Sequence, residues 1–296
     1  MRRKEIVLTY VVIVLFIVIG IGYAYLEEDL SLQNNVTLTN YSAVPEPVSF
    51  ATDSWSTIVA NVASGNTSVY APKAGTEVLR EVDLGTLGTH YLRVANTTDC
   101  TTETSKSACG FVVEFADIIT THRMNPYSSS STAVGNGNIG GWKNSEMRTY
   151  VNNDIYNALP AEIKNSIIKT KVISSHGNAR GDSANLESED YLYLLSTKEV
   201  WGKNGTSNVI NYDTADSTTR QLDYYSVNGV TTSSYSKAIK KNNGSASYWW
   251  LRSARSGSSN WFYFVDSSGD WSFSASDTTR GVSPAFRIGK TEWDEK

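Results

Sequence analysis

An excess of basic residues is missing from this chain. Its 26 Lys and Arg are outnumbered by 30 Asp and Glu, for a formal net charge of -4, and no basic stripe runs along any segment. Such a balance offers nothing to a phosphate backbone, so nucleic acid is excluded as the expected partner. Histidine is equally scarce: His90, His122 and His176 lie far apart, with no HExxH or CxxC spacing, so no zinc site is signalled and structural roles are expected for all three. No GxSxG nucleophile elbow occurs and titratable residues form no cluster, which leaves an enzyme without support. Gly135, Gly137 and Gly140 satisfy GxGxxG, but SSSSTAV precedes them where a dinucleotide site needs a buried strand, and no βαβ unit follows. No cofactor is therefore expected. There is no internal repeat.

What is present is enough apolar material for a sizeable core: 40% hydrophobic and 11% aromatic residues in 296, sufficient for one or two domains. Ile6 to Leu26 runs 21 residues without a charge, long enough as a helix to cross the hydrocarbon core of a bilayer. Two arginines and a lysine precede it and Glu27-Glu28-Asp29 follow it, so residues 1–5 are expected in the cytoplasm and the remainder outside the cell. A cleaved signal peptide is the rival reading; the run exceeds an ordinary signal core and Ala24-Tyr-Leu-Glu is a poor cleavage site, which favours an uncleaved anchor. Outside the membrane, Cys100 and Cys109 bracket a short polar segment and are expected to form a disulfide.

After the anchor, residues 27–76 read as a stalk or small irregular β segment, because Leu30 to Asn66 shows no helical periodicity. A folded domain is expected over 77–288, with 289–296 as a tail. The alternation in EVLREVDLG and in Thr89 to Asn96 predicts two strands joined at Gly85 to Gly88, with a further apolar strand at Gly110 to Phe115. Asn144 or Ser145 can cap a helix carrying Met147, Tyr150, Val151, Ile155, Ala158 and Leu159. Pro160 ends it and can open a second helix whose stripe is Ile163, Ile167 and Ile168. Val172-Ile173 and Tyr191 to Leu195 read as core strands, Thr197 to Trp201 as a helical turn, and Gln221 to Tyr225 and Tyr235 to Lys241 as further helical candidates.

The stretch Ser247 to Ile288 is the most informative. Trp249, Trp250, Trp261, Phe262, Tyr263, Phe264, Trp271 and Phe273 fall in short runs separated by Ser, Gly and Asp, predicting four short strands. Alternation puts Trp261, Tyr263 and Val265 on one side and Phe262 and Phe264 on the other. The pattern Trp250-Leu251-Arg252-Ser253, an aromatic strand, a Gly-Asp turn, then Gly281, Val282, Pro284, Ala285, Phe286 and Arg287 resembles the C-terminal half of C-type-lectin-like domains. The resemblance is to the branch holding the formylglycine-generating-enzyme-like proteins and the variable ligand-binding proteins that retroelements diversify in bacteria and phages. Gly140 to Pro160 also resembles bacterial surface domains of this group. The resemblance implies an α+β C-type-lectin-like domain of short twisted antiparallel strands with two helices. The redox chemistry of the formylglycine-generating relatives needs cysteines near the C-terminal core, and none follows Cys109.

The function this implies is a membrane-anchored cell-surface protein that binds an extracellular protein or glycan. Its face is expected from Arg255, Ser258, Asn260, Phe262, Asp270, Trp271, Phe273, Ser274, Asp277 and Arg280, where aromatic rings give rigid contact area and Ser, Asn and Asp adaptable hydrogen bonding. In a retroelement-diversified member, positions of this type would vary, and a template repeat beside a reverse transcriptase in the adjacent DNA would mark it. The alternative is a structural or assembly protein of the cell envelope in which these rings are core; burial of Trp261, Trp271 and Phe273 together would mark it. Lesser signals are discounted. Asp266, Ser268, Asp270 and Asp277 match EF-hand positions, but Trp271 stands where the loop needs glycine, so a polar hairpin turn is expected. Arg180-Gly181-Asp182 is read as an exposed loop, and Arg252 and Arg287 as arginines paired inside the fold.

Overall fold

The computed structural model describes residues 43–127, 134–178, 182–202 and 210–289. The expected membrane anchor, residues 1–5 before it, residues 290–296 and the first two residues of the Arg-Gly-Asp tripeptide lie outside these. Among the described residues no helix is long and apolar enough to cross a membrane. The chain divides after Val44 into two units, and Pro45–Lys296 forms one of them.

That unit is α+β, dominated by antiparallel sheet. A first five-stranded sheet is built from β1 (Arg80–Asp83), β2 (Thr89–Asn96), β3 (Phe111–Phe115), β5 (Ile167–Ile168) and β14 (Ala285–Ile288), in the order β1-β2-β3-β14-β5. A second holds β4 (Thr120–His122), β10 (Trp249–Ala254), β11 (Trp261–Val265), β12 (Trp271–Ala275) and β13 (Arg280–Val282), in the order β12-β11-β10-β13-β4. Every neighbour pair is antiparallel except β10 with β13. Two hairpins complete the strands among the described residues: β6 (Thr170–Ser174) with β7 (Leu186–Asp190), and β8 (Lys240–Asn242) with β9 (Ser245–Ser247).

Four strands were expected over Ser247 to Ile288, and the run GVSPAFRI adds a fifth because it is split in two. Pro284 has no N–H to give a ladder, and across Ser283-Pro284 the chain leaves the second sheet as β13 and enters the first as β14. The C-terminal stretch thus holds five strands, and this crossing ties the two sheets together: the Phe115 N–H donates to the Pro284 carbonyl at 3.0 Å and the Ile119 N–H to Val282 at 3.0 Å. Phe286, Trp249, Trp250 and Leu251 are fully buried around it.

The helices are short. The first, α1 (Trp55–Ser64), lies where a stalk or irregular β segment was expected. Ser54 caps it by accepting from the Thr57 N–H, Gly65 ends it in the left-handed region, and Trp55 and Ile58 are buried with Phe50. The folded unit therefore begins well before Glu77. The second, α2, starts at Glu146–Tyr150 under the expected Ser145 cap, widens through a π turn at Val151–Ile155 and ends at Tyr156–Ala158. Met147, Val151, Ile155 and Leu159 face the core. After Pro160 comes only the single turn α3 (Ala161–Lys164); Ile167 and Ile168 leave the expected helical stripe and pair with β14 as β5. Among the described residues the other α-helices are α4 (Thr197–Trp201) and α5 (Asp223–Val227). Tyr235 to Lys241 forms a 3-10 turn at Ser236–Ala238 and then strand β8, not a helix.

Candidate ligand-binding face

Strands β11 and β12 form a hairpin whose turn is locked by Asp266. Its carboxylate accepts from the Ser268 N–H at 2.8 Å, the Ser268 hydroxyl at 2.6 Å and the Asp270 N–H at 3.0 Å. Gly269 follows at φ +94°, where a Cβ would lie 2.1 Å from the Tyr235 carbonyl oxygen, so only glycine lets the turn sit this close. The Asp266 carboxylate is thus spent on the turn. Among the described residues no group of three His, Cys, Asp or Glu could hold a metal ion.

The register pairs Trp261 with Ala275, Tyr263 with Phe273 and Val265 with Trp271, which puts these six side chains on one face. Trp261 stacks on Phe273 with centroids 4.6 Å apart, and Tyr263 meets both Phe273 and Trp271 edge-on at 6.2 Å. The Arg255 guanidinium lies over Tyr212 at 4.4 Å, Phe273 at 4.6 Å and Trp261 at 5.3 Å. Exposure rises toward the sheet edge: Tyr263 and Val265 are buried, Trp261 and Phe273 are half-buried, and Trp271 is 38% exposed. Burial drives the Tyr263 phenol far above its ordinary pKa, and its O–H donates to the Asn211 carbonyl.

The ten expected face residues do not all meet. Arg255, Trp271 and Phe273 share the face just described, with Asp270 at its hairpin end accepting from the Trp271 N–H. Ser258 and Asn260 are half-buried in the turn before β11, where the Ser258 hydroxyl donates to the Asn260 side chain at 2.8 Å. Asp277 is exposed in the turn after β12. Ser274 and Arg280 lie on the opposite side: Ser274 is hydrogen bonded to Thr278, and the Arg280 guanidinium sits 3.7 Å above the Phe264 ring centroid. Phe262, expected on the face, is not there. It is fully buried, because its parity on β11 turns it to the covered side, and it is a core residue with no surface to offer.

Three aromatic residues of this face were not among those expected: Tyr212, Trp261 and Tyr263. The alternation of β11 carried the signal for Trp261 and Tyr263; nothing local marks Tyr212. Asn138 was also missed. Fully buried, its amide donates to the carbonyls of Arg255, Ser258 and Trp261 at 3.1, 2.9 and 2.9 Å, fastening the turn that presents Arg255. Gly137 beside it packs so tightly that a Cβ would come within 2.3 Å of the Ser259 carbonyl oxygen. The glycine-rich loop is thus a support for the face.

Arg252 offers no site. Its guanidinium is fully buried and forks onto Glu199 at 2.5 and 2.6 Å, with the Leu194 carbonyl at 2.8 Å and the Ser107 hydroxyl at 2.9 Å. The Arg287 Nε donates to the Cys109 carbonyl at 2.8 Å. Cys100 and Cys109 are joined by the expected disulfide, with Cα atoms 4.9 Å apart. The three histidines each lie within hydrogen-bonding distance of a nearby carbonyl: His90 that of Leu87, His122 that of Arg123, His176 that of Gly177. Asp182, the described member of the Arg-Gly-Asp tripeptide, accepts from the Gly140 N–H at 2.7 Å.

A family model described as a domain of unknown function, DUF6273, matches residues 118–290. It takes in both β11 and β12 but begins after β3, although β3 pairs with β14 inside the matched range. No curated protein and no solved structure matches the chain.

Proposed function

The chain belongs to the DUF6273 family, domains whose function is unknown, and from that premise we propose that it is a ligand-binding protein of the cell surface, anchored by its N-terminal apolar segment, with a C-type-lectin-like domain that presents the β11–β12 face to an extracellular partner. The observation that carries this reading is the partial exposure of Trp271, Phe273 and Trp261 around Arg255. These rings lie together on one face, and their exposure increases outward to the edge strand. Aromatic rings and an arginine are the side chains that most often anchor a binding surface. The uncharged run Ile6 to Leu26 and its basic flank support the anchor and the outward placement of the domain.

The test is a glycan and cell-surface-protein array probed with residues 27–296, followed by the Trp271→Ala variant. Retention of a ligand by the parent protein and its loss in the variant, with thermal unfolding unchanged, is the expected result. Binding that survives loss of both Trp271 and Phe273 moves the function away from this face.

A further inference from the structure

Strand β12 is the edge of its sheet, and its hydrogen bonds to β11 can be phased. The Asp266 N–H donates to the Asp270 carbonyl at 2.8 Å and the Ser276 N–H to the Asn260 carbonyl at 2.9 Å. Antiparallel ladders alternate bonded and non-bonded pairs, so Ser272 and Ser274 bond to Phe264 and Phe262, while the backbone groups of Trp271, Phe273 and Ala275 point away from the sheet. The Trp271 N–H is taken by Asp270 and the Ala275 carbonyl by the Thr278 N–H. That leaves the Trp271 carbonyl, both groups of Phe273 and the Ala275 N–H with no partner among the described residues. Natural edges are commonly blunted by lysine, proline or a bulge. WSFSA has none of these, and its register with β11 is unbroken.

Above this ledge stands Arg255. No carboxylate among the described residues lies within ion-pair distance of it, in contrast to the paired Arg93, Arg123, Arg148, Arg220 and Arg252. Its guanidinium rests on Phe273, the residue whose backbone is open on both sides of its Cα. Building on the ligand-binding reading, we infer that the partner is an extended acidic peptide segment that adds to β12 as a sixth strand. Its backbone bonds to Phe273, and an Asp or Glu side chain on the aromatic face pairs with Arg255. A second copy of this chain would bring a second Arg255 toward the first, whereas a carboxylate supplies the missing charge.

The test uses the full chain in lipid nanodiscs and a fluorescent, N-acetylated eight-residue peptide of alternating Val and Glu, followed by anisotropy. Two control peptides carry Lys in place of Glu or N-methyl groups on every residue. The Glu peptide is expected to bind saturably, and both controls at least ~10-fold more weakly, since one removes the charge match and the other the ladder. Ala275→Pro removes an outward N–H without touching the bonds to β11 and is expected to weaken binding ~5-fold or more. Arg255→Glu is expected to reverse the preference between Glu and Lys peptides.

Failure of the Glu peptide to bind, equal binding of the N-methylated peptide, or a charge preference indifferent to Arg255→Glu overturns the inference. A glycan bound through Trp271 and insensitive to Ala275→Pro overturns it while leaving the ligand-binding face in place. Self-association of the parent chain that Ala275→Pro abolishes assigns the edge to a second copy and overturns it as well.

Discussion

Arg252 and Arg255 are three residues apart, and their surroundings differ in every respect that matters. Arg252 lies within β10 where its register with β11 shifts, between Trp250 and Ala254; there its N–H donates to the Leu195 carbonyl and its guanidinium closes onto Glu199. Glu199 is itself fixed as the third residue of α4, where its carboxylate accepts from the Ser196 N–H in a capping box. Arg255 follows the strand, held by the clamp from Asn138, and its guanidinium meets rings, with no carboxylate among the described residues at ion-pair distance. One arginine welds a helix, a loop and a strand together; the other is half-buried against aromatic rings, with no described carboxylate beside it. Two side chains of identical chemistry become framework and face because of what packs against each.

The strongest way to break this contrast is to remove one half of the buried pair. Glu199→Ala leaves the Arg252 charge uncompensated in the core and is expected to cost ~3–5 kcal/mol of unfolding free energy, read from urea melts. Arg255→Ala, by contrast, should leave the midpoint nearly unmoved. The pair also carries a pH signature. Burial pushes the Glu199 carboxyl up, but the Arg252 charge and the hydrogen bonds from Arg252, Ser107 and the Ser196 N–H outweigh it and hold the pKa below its ordinary 4.5. A depressed native pKa contributes stability that is fully present above the ordinary value and is lost as pH falls through the native one. The parent protein should therefore weaken below about pH 4.5, and Glu199→Gln should show a shallower acid loss; equal slopes would deny the pair this role.

Phe286→Ala tests the framework at the crossing between the sheets. The ring is fully buried, and its removal is expected to cost ~3–5 kcal/mol. A cost below ~1 kcal/mol would mean that the two sheets are not tied there. Somewhat smaller is the effect of the disulfide. Ser107, which donates to Glu199, lies inside the loop that Cys100 and Cys109 close. Reduction should lower stability by ~2–3 kcal/mol, as loop-closure entropy predicts for a loop of this size, and mass mapping without reduction should find no free thiol. The smallest change in stability belongs to the face. Trp271→Ala should lose less than ~1 kcal/mol of folding free energy, since only edge contacts go, yet remove ~2 kcal/mol or more of binding if the ring anchors the ligand. Unfolding by that variant, with binding spared, would return the ring to the core.

Much of this was legible along the chain. The strands at Arg80–Asp83, Thr89–Asn96 and Phe111–Phe115, the Ser145 cap and the helical turn Thr197–Trp201 follow from alternation, capping chemistry and spacing. The helix Trp55–Ser64 also has a local signal, which runs against the stalk expected there: Ser54 precedes Trp55, Ile58, Val59 and Val62, which recur at three and four. The pair Ile167-Ile168 was ambiguous, since two adjacent isoleucines fit the end of a helix or an edge of a sheet equally well.

By itself the sequence determined the α+β character, the disulfide, the hairpin at Asp266 to Asp270 and the parity of every residue on β11, because turn chemistry and the two-residue strand period are local. Only the tertiary structure decided which parity faces outward. Phe262 and Trp261 are adjacent aromatic residues, and what separates them is the packing on one side of the sheet and its absence at the edge of the other. The same holds for Asn138, whose amide gathers three carbonyls from more than 110 positions away, and for Arg252 and Arg255. A side chain's type sets what it can do; the long-range packing around it sets which of those things remains available.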